Sequence, residues 1–430
     1  MEDITLEMIK LLKTRTDIAK QIGDAKASLG MTVTDEERED ALRTQVAKLC
    51  KEIDLDQSTA LKFLNLLLNE SVKVQSDSKQ THLSVFLKAK ALEEEGKKII
   101  HLEVGEPDFK PPKEVKTALA EVYDKGYGKY GSPKGIKELV EALAIRNTVF
   151  TESVMVCPGA RFAVYLAITT LLNPGDEIIV IEPAWPAYKD CALNAGIKVR
   201  TIKTTLETKW EPSIEQINNA INENTKMIIL NYPNNPTGKI LSNELLASII
   251  RTAEDHDLYV LSDEIYSEYA NNDWKSVDRF GSEYHEKKII TQSFSKSHAM
   301  TGYRIGYVYA DPQIIEKMSK LQALSLTNIS EPIQYAALQA LEADISGNTK
   351  IIRSRLEALI KIAKDIGLEF VEPDGAMYLF AKTKYKNFDA TKFSEKLLEH
   401  GVAIAPGEGF GDYKEFFRIT AINETRLMEG

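Results

Sequence analysis

All 15 prolines of this 430-residue chain fall after residue 100. Proline lacks a backbone N–H and clashes with the preceding turn, so a stretch without it is where long helices can run. Apolar spacing agrees. Ile4, Met8, Leu11, Leu12, Ile18, Ala19 and Ile22 recur at helical intervals and predict one helix from Ile4 to about Leu29, interrupted only by Gly23. Gly30 closes it, and Thr34 with Glu37 three residues later reads as a capping box that opens a second helix to about Ile53. A third is expected from about Gln57 to Gln75. Three helices in so short a segment offer broad apolar stripes and few partners within one copy, so a helical dimer is expected.

The polar stretch Ser76–Thr81 ends this pattern. Beyond it, runs such as Glu177–Ile181, Lys226–Leu230 and Leu258–Leu261 alternate with amphipathic segments, as in an α/β domain with a mostly parallel sheet. Hydrophobic residues are 43% and charged residues 27% of the chain, enough for more than one packed core. The net charge of −10 argues against nucleic acid or an anionic membrane as partner. Cys50, Cys157 and Cys191 are odd in number and far apart, so neither a disulfide framework nor a metal site is expected. The opening Met1-Glu2-Asp3 is unlike a secretory leader, and no apolar run approaches the ~20 residues that span a bilayer, so a cytoplasmic location is expected.

In the helical segment, Arg15 lies four residues after Leu11 and three before Ile18, on the stripe that otherwise faces a core. Lys26 is eleven residues further, which returns it to the same face roughly 16 Å along the axis. Asp35, Arg38 and Glu39 share a face of the second helix, and Ser71 and Gln75 prolong the stripe of Leu64, Leu67 and Leu68 on the third. The bland reading is solvated faces with local ion pairs. Cations in an apolar seam weaken it, because unpaired buried charge is costly and calls for an anionic ligand.

With Arg15, Lys26, Asp35-x-x-Arg38-Glu39 and Ser71-x-x-x-Gln75 in ungapped register, residues 1–76 resemble the all-helical chorismate mutases. The resemblance implies a dimeric three-helix domain that rearranges chorismate to prephenate. Arg15 and Arg38 would hold the two carboxylates, and Lys26 and Gln75 would donate to the ether oxygen. Glu39 and Asp35 would orient the hydroxyl and its neighbours, with Ser71 among the substrate-binding groups. One departure is that the further substrate-binding arginine usual in that family falls upstream of Met1 when Arg15 is aligned.

In the α/β segment, three strand ends deliver Asn, Asp and Lys toward one crevice. They are Asn231-Tyr232-Pro233-Asn234-Asn235-Pro236-Thr237-Gly238, Ser262-Asp263-Glu264-Ile265-Tyr266 and Ser293-Phe294-Ser295-Lys296. Carboxyl ends of strands are where open α/β sheets place ligands. In this order, with a late Arg418, the set resembles fold-type I pyridoxal-phosphate aminotransferases of the aspartate, aromatic and prephenate class. The likeness covers nearly all of residues 82–430, with 77–81 as a linker. It implies a small domain of about 82–118 and 311–430 flanking a large cofactor-binding domain of about 119–310.

The resemblance carries roles residue by residue. Lys296 would bond pyridoxal 5'-phosphate and move the Cα proton, and Asp263 would pair with the pyridine nitrogen. Asn235 and Tyr266 would donate to the phenolate oxygen, and Trp185 would stack on the ring or else be a core aromatic. Ala160 and Arg161 at a helix start, with Ser293 and Arg304, would hold the phosphate, with Tyr130 reaching it from a partner subunit. Arg418 would grip the substrate α-carboxylate beside Gly105, with Asn235 close by. Arg161 would meet a distal carboxylate or else only balance the phosphate.

Together these readings predict a bifunctional, homodimeric or larger enzyme of aromatic amino acid biosynthesis. Chorismate, keto acids and glutamate or aspartate are its expected small-molecule substrates. One alternative is an aspartate aminotransferase with a regulatory or dimerising N-terminal domain. Another is different chemistry, such as β-elimination, on the same cofactor.

Overall fold

The computed structural model describes residues 2–28, 36–76, 82–281 and 285–422. The chain divides into two compact units. One comprises Met1–Lys79, Asn173–Asp176 and Leu193–Lys198, and the other Gln80–Leu172, Glu177–Ala192 and Val199–Gly430.

The first unit is helical: α1 spans Glu2–Ser28, α2 Glu36–Glu52 and α3 Gln57–Ser76. Glu2 and Asp3 lie in the first turn of α1 and Lys26 in its last, which suits the helix dipole at both ends. Asp56 caps α3, its carboxylate accepting from the Thr59 N–H at 2.7 Å. Only a few side chains are deeply buried, among them Ala19, Cys50 and Leu64, while Ile4, Ile9, Leu11 and Ile18 are each more than half exposed. Gly30, the Thr34 cap with the Glu37 side chain, and residues 77–81 lie outside the described ones.

The second unit is built on a seven-stranded sheet. Across it the strands run Val154–Cys157, Gly306–Ala310, Lys288–Ser293, Tyr259–Asp263, Thr225–Leu230, Glu177–Glu182 and Lys198–Lys203. Four of them, from Glu177–Glu182 to Lys288–Ser293, pair in parallel. Gly306–Ala310 is antiparallel to both of its neighbours. The sheet is therefore mixed through that one strand and otherwise mostly parallel, as the sequence suggested. Residues 294–305 join Lys288–Ser293 to the next strand, and the chain returns alongside it. Ile179, Ile228 and Ile289 are fully buried, each contributing about 1.5–3 kcal/mol. Helices such as Asn243–Asp255 cover the faces, with Leu246, Ile249, Ile250 and Ala253 turned inward at helical spacing.

A smaller antiparallel sheet runs Ala405–Pro406, Phe416–Thr420, Tyr378–Lys382, Glu369–Phe370. In it Phe380 sits opposite Arg418, and Tyr378 opposite Thr420. Ile100–His101 pairs in parallel with Val402–Ala403. Among the described residues no helix is long and apolar enough to cross a membrane. Nor does any group of three His, Cys, Asp or Glu stand ready to hold a metal ion.

Candidate active site

A cavity of about 420 Å³ opens at the carboxyl ends of the parallel strands. The strand Tyr259–Asp263 is buried to its last residue and so carries Asp263 into the interior. There the hydroxyls of Tyr188 and Thr291 donate to the two carboxylate oxygens at 2.7 and 3.3 Å. Burial raises the Asp263 pKa, opposed first by the Tyr188 hydrogen bond.

Lys296 follows the strand Lys288–Ser293 and lines the same cavity. Its ammonium donates to the Gly105 carbonyl, and its own carbonyl accepts from the Tyr269 hydroxyl at 2.6 Å. Burial, then the charge of Arg418, lowers its pKa to about 8.

Arg418 is 2% exposed. One of its terminal nitrogens donates to Asn235 Oδ1 at 2.8 Å and the other to the Glu103 carbonyl. Its guanidinium lies 4.4 Å from the Tyr378 ring centre and 5.0 Å from that of Phe410. The Tyr378 hydroxyl is 2.6 Å from that of Tyr266. A Cβ on Gly105 would stand 1.9 Å from the Tyr378 oxygen, which is why no side chain fits there. The Asn235 N–H donates to Asn231 Oδ1 at 3.0 Å, and Asn231 in turn donates to the Asp263 carbonyl, so the asparagine loop and the aspartate are one network.

The helix Ala160–Leu171 starts at Gly159, whose φ of 85° suits glycine. Arg304 donates to the carbonyls of Thr301 and Pro158 at 2.7 and 3.3 Å, which brings a guanidinium to that helix N-terminus. A helix start leaves backbone N–H groups without intrahelical partners, a setting for an anion. Arg161 caps the face of Trp185 at 4.6 Å.

Thus Gly105, Ala160, Arg161, Trp185, Asn235, Asp263, Tyr266, Lys296, Arg304 and Arg418 line one cavity. Ser293 does not line it: its hydroxyl donates to Ser295 Oγ and the Ile305 carbonyl, and Ser295 forms the wall. Tyr130 is 89% exposed and outside this chain's cavity. Tyr188, Tyr378 and Ser295 were missed from sequence. Tyr188 follows Trp185 by three residues and Ser295 stands beside the lysine, but nothing local marked Tyr378.

In the helical unit, Arg15 reaches from α1 to α3, donating to the Leu67 carbonyl at 2.5 Å and to the Ser71 hydroxyl. Burial lowers its pKa. Lys26 and Glu39 are half-buried and Arg38 is exposed. Glu39 lies 3.8 Å from Arg43 on its own helix. Asp35 and the side chain of Gln75 lie outside the described residues.

Residues 97–429 match the family model for aminotransferases of class I and II. The chain belongs to that family. Residues 1–76 match the model for chorismate mutase type II. An aspartate aminotransferase of Thermotoga maritima is 37% identical over 75% of this chain and 87% of its own length. An aspartate/prephenate aminotransferase of Thermus thermophilus is 33% identical over 84% of this chain and 96% of its own. Among solved structures, Thermotoga maritima aspartate aminotransferase superposes with a TM-score of 0.78 at 35% identity, covering 82% of this chain and 96% of that one. The Thermus thermophilus enzyme with maleate gives 0.78 at 33% identity, covering 82% and 95%.

The protein is thus a bifunctional enzyme, a chorismate mutase type II domain joined to a pyridoxal-phosphate-dependent aminotransferase domain. The aminotransferase cavity fits that cofactor chemically. It offers an amine for the aldehyde, a buried carboxylate for the pyridine nitrogen, and a helix N-terminus with a guanidinium for the phosphate.

Proposed function

We propose that the enzyme makes prephenate from chorismate in residues 1–76, and that its aminotransferase domain moves an amino group between aspartate or glutamate and an aromatic-pathway or dicarboxylic keto acid. The observation that carries the second half is Arg418, buried and aimed by Asn235 and Glu103 into the cavity that holds Lys296. A buried guanidinium with its fork fixed is a receptor for a carboxylate, which every amino and keto acid brings. Arg161 at the same cavity offers a second cation, suited to a substrate with two carboxylates. Prephenate has two, and the Thermus relative that carries prephenate in its name supports this choice.

Bound pyridoxal phosphate supplies an electron sink for the Cα carbanion. The chain's own residues do the rest. Burial lowers the pKa of Lys296 Nζ to about 8, so near neutrality far more of it than of an ordinary lysine is the free amine that can take the proton from the amino acid Cα. Asp263, held by Tyr188 and Thr291, would keep the pyridine nitrogen protonated, and Trp185 would stack on the ring. Tyr266 and Asn235, on the cavity wall, would donate to the phenolate oxygen. The backbone N–H groups of Ala160 and Arg161, with the Arg304 guanidinium, would hold the phosphate, with Ser293 supporting Ser295 behind them. Tyr130, exposed in one chain, would reach the phosphate of a partner subunit.

In the helical domain, Arg15 with Arg38 holds the substrate carboxylates. Lys26 and Gln75 stabilise charge at the breaking ether oxygen, and Glu39, Asp35 and Ser71 orient the rest. Catalysis there is preorganisation alone, with no covalent bond to the protein. The exposure of Arg38 favours a second reading, a regulatory helical domain.

One experiment separates the readings. The holoenzyme is given chorismate, glutamate and aspartate at neutral pH, and products are identified by mass spectrometry. Loss of chorismate with formation of the amino acid derived from prephenate is expected. Intact chorismate beside active exchange between aspartate and 2-oxoglutarate would instead assign the helical domain to regulation.

A further inference from the structure

Arg418 rests on the backbone of a segment whose anchor lies outside the cavity. Its terminal nitrogens have two protein partners, Asn235 Oδ1 and the Glu103 carbonyl, and its Nε is buried without one. Lys296 donates to the carbonyl of Gly105, two residues further along the same segment. The position of Glu103 therefore decides where the Arg418 guanidinium points, while the Lys296 contact is made two residues beyond it.

The Glu103 side chain is 0% exposed, and one of its oxygens lies 2.7 Å from His101 Nδ1. The other ring nitrogen of His101 lies 3.2 Å from Glu93 on α4 (His82–Glu94). Glu93 is in turn held by Lys90 at 2.7 Å, and Phe86 of the same helix lies against the imidazole, ring centres 6.0 Å apart. Val402 and Ala403, on the strand paired with Ile100–His101, bring no titratable group. A buried carboxylate is costly unless a cation faces it, and His101 is the cation in hydrogen-bond contact with Glu103.

We propose that His101 is a positioning residue for the aminotransferase: clamped between Glu93 and Glu103, it holds the segment on which Arg418 rests and so sets how tightly the cavity grips a substrate carboxylate. His101 and Glu93 touch neither Lys296 nor the lining of the cavity. The clamp acts on binding, not on proton transfer, so KM moves and kcat does not.

The clamp also has a sign with pH. The Glu103 hydrogen bond outweighs burial and raises the His101 pKa above 6.5, with Glu93 adding to it. The imidazolium is present below that raised value and is lost as pH rises through it. Grip on the carboxylate therefore weakens with rising pH in the region above 6.5.

The inference rests on Arg418 being the carboxylate receptor, and the test separates the two. His101→Gln, Glu93→Gln and Arg418→Lys are prepared as cofactor-loaded full-length enzyme. Aspartate–2-oxoglutarate exchange and binding of maleate, followed by the absorbance of the bound cofactor, are measured from pH 6 to 9. For His101→Gln, KM for aspartate and Kd for maleate should rise roughly tenfold with kcat within about twofold, and the pH dependence of KM should flatten. In Glu93→Gln the rise of KM should begin at lower pH, and this variant keeps the test open if His101→Gln folds poorly. Weakened maleate binding in Arg418→Lys but unchanged binding and pH profile in both other variants would overturn the clamp alone. Unchanged binding in Arg418→Lys would overturn the receptor itself. Parallel loss of kcat, cofactor content and thermal stability in His101→Gln, with a normal pH profile in Glu93→Gln, would reduce His101 to a structural role.

Discussion

The two units solve the problem of buried charge in opposite ways. In the α/β unit a single chain encloses its own ionised groups: Asp263, Glu103 and Arg418 are all under 5% exposed, and each has named partners. In the helical unit Arg15 is only half-buried, Arg38 is exposed, and α1 presents Ile4, Ile9, Leu11 and Ile18 to the surface. A sheet covered by helices creates an interior within one copy, whereas three helices leave much of their apolar surface outside. Polar groups poised on an apolar helical face therefore depend on a second surface to become a site.

Substitutions can break this contrast. The largest effect is expected for Lys296→Ala, which should lower transamination by roughly 10⁴-fold and leave chorismate turnover untouched. Both rates measured on one preparation check it, and a shared loss would show that the units do not act separately. Arg15→Ala should cut chorismate consumption by roughly 10²- to 10³-fold, read as loss of chorismate absorbance, with exchange between aspartate and 2-oxoglutarate unchanged.

Gly105→Ala sharpens the picture of a self-enclosed cavity. The new methyl would meet the Tyr378 oxygen, so the enzyme should lose roughly 10²-fold in kcat/KM for aspartate while retaining mutase activity. Reassembly of the apoenzyme with cofactor reports the Lys296 environment. The neutral amine is the form that bonds an aldehyde, so the rate of cofactor capture should climb roughly tenfold per pH unit below 8 and level off above it. A midpoint near the ordinary lysine value would mean that the amine is not desolvated. The smallest change is expected for Tyr378→Phe. It removes the 2.6 Å hydroxyl pair with Tyr266 but keeps the ring under Arg418, so kcat/KM should fall less than about tenfold.

Much of the α/β site was legible because its chemistry sits in short runs at strand ends. Asn235 and Lys296 follow, and Asp263 ends, a buried strand, and strands that share a sheet bring their ends together whatever their separation in sequence. Tyr378 was not legible, since its hydroxyl matters only because a second sheet brings it against Tyr266. Ser293 and Ser295 could not be told apart from the motif, because which hydroxyl faces the cavity depends on how the chain bends after the strand. The antiparallel return of Gly306–Ala310 was hidden in the same way, because the length of the connection 294–305 does not set the direction of the strand after it.

The sequence by itself determined that a proline-free helical segment precedes an α/β domain, and which residue types could carry chemistry in each. Periodicity and local motifs are properties of neighbours along the chain, so they survive without a structure. Only the tertiary structure decided that Arg418 is fully buried, that Glu103 and Asn235 aim it, and that His101 stands behind Glu103. These contacts join residues as far apart as 103 and 418, and which polar groups meet is set by packing that no local pattern encodes.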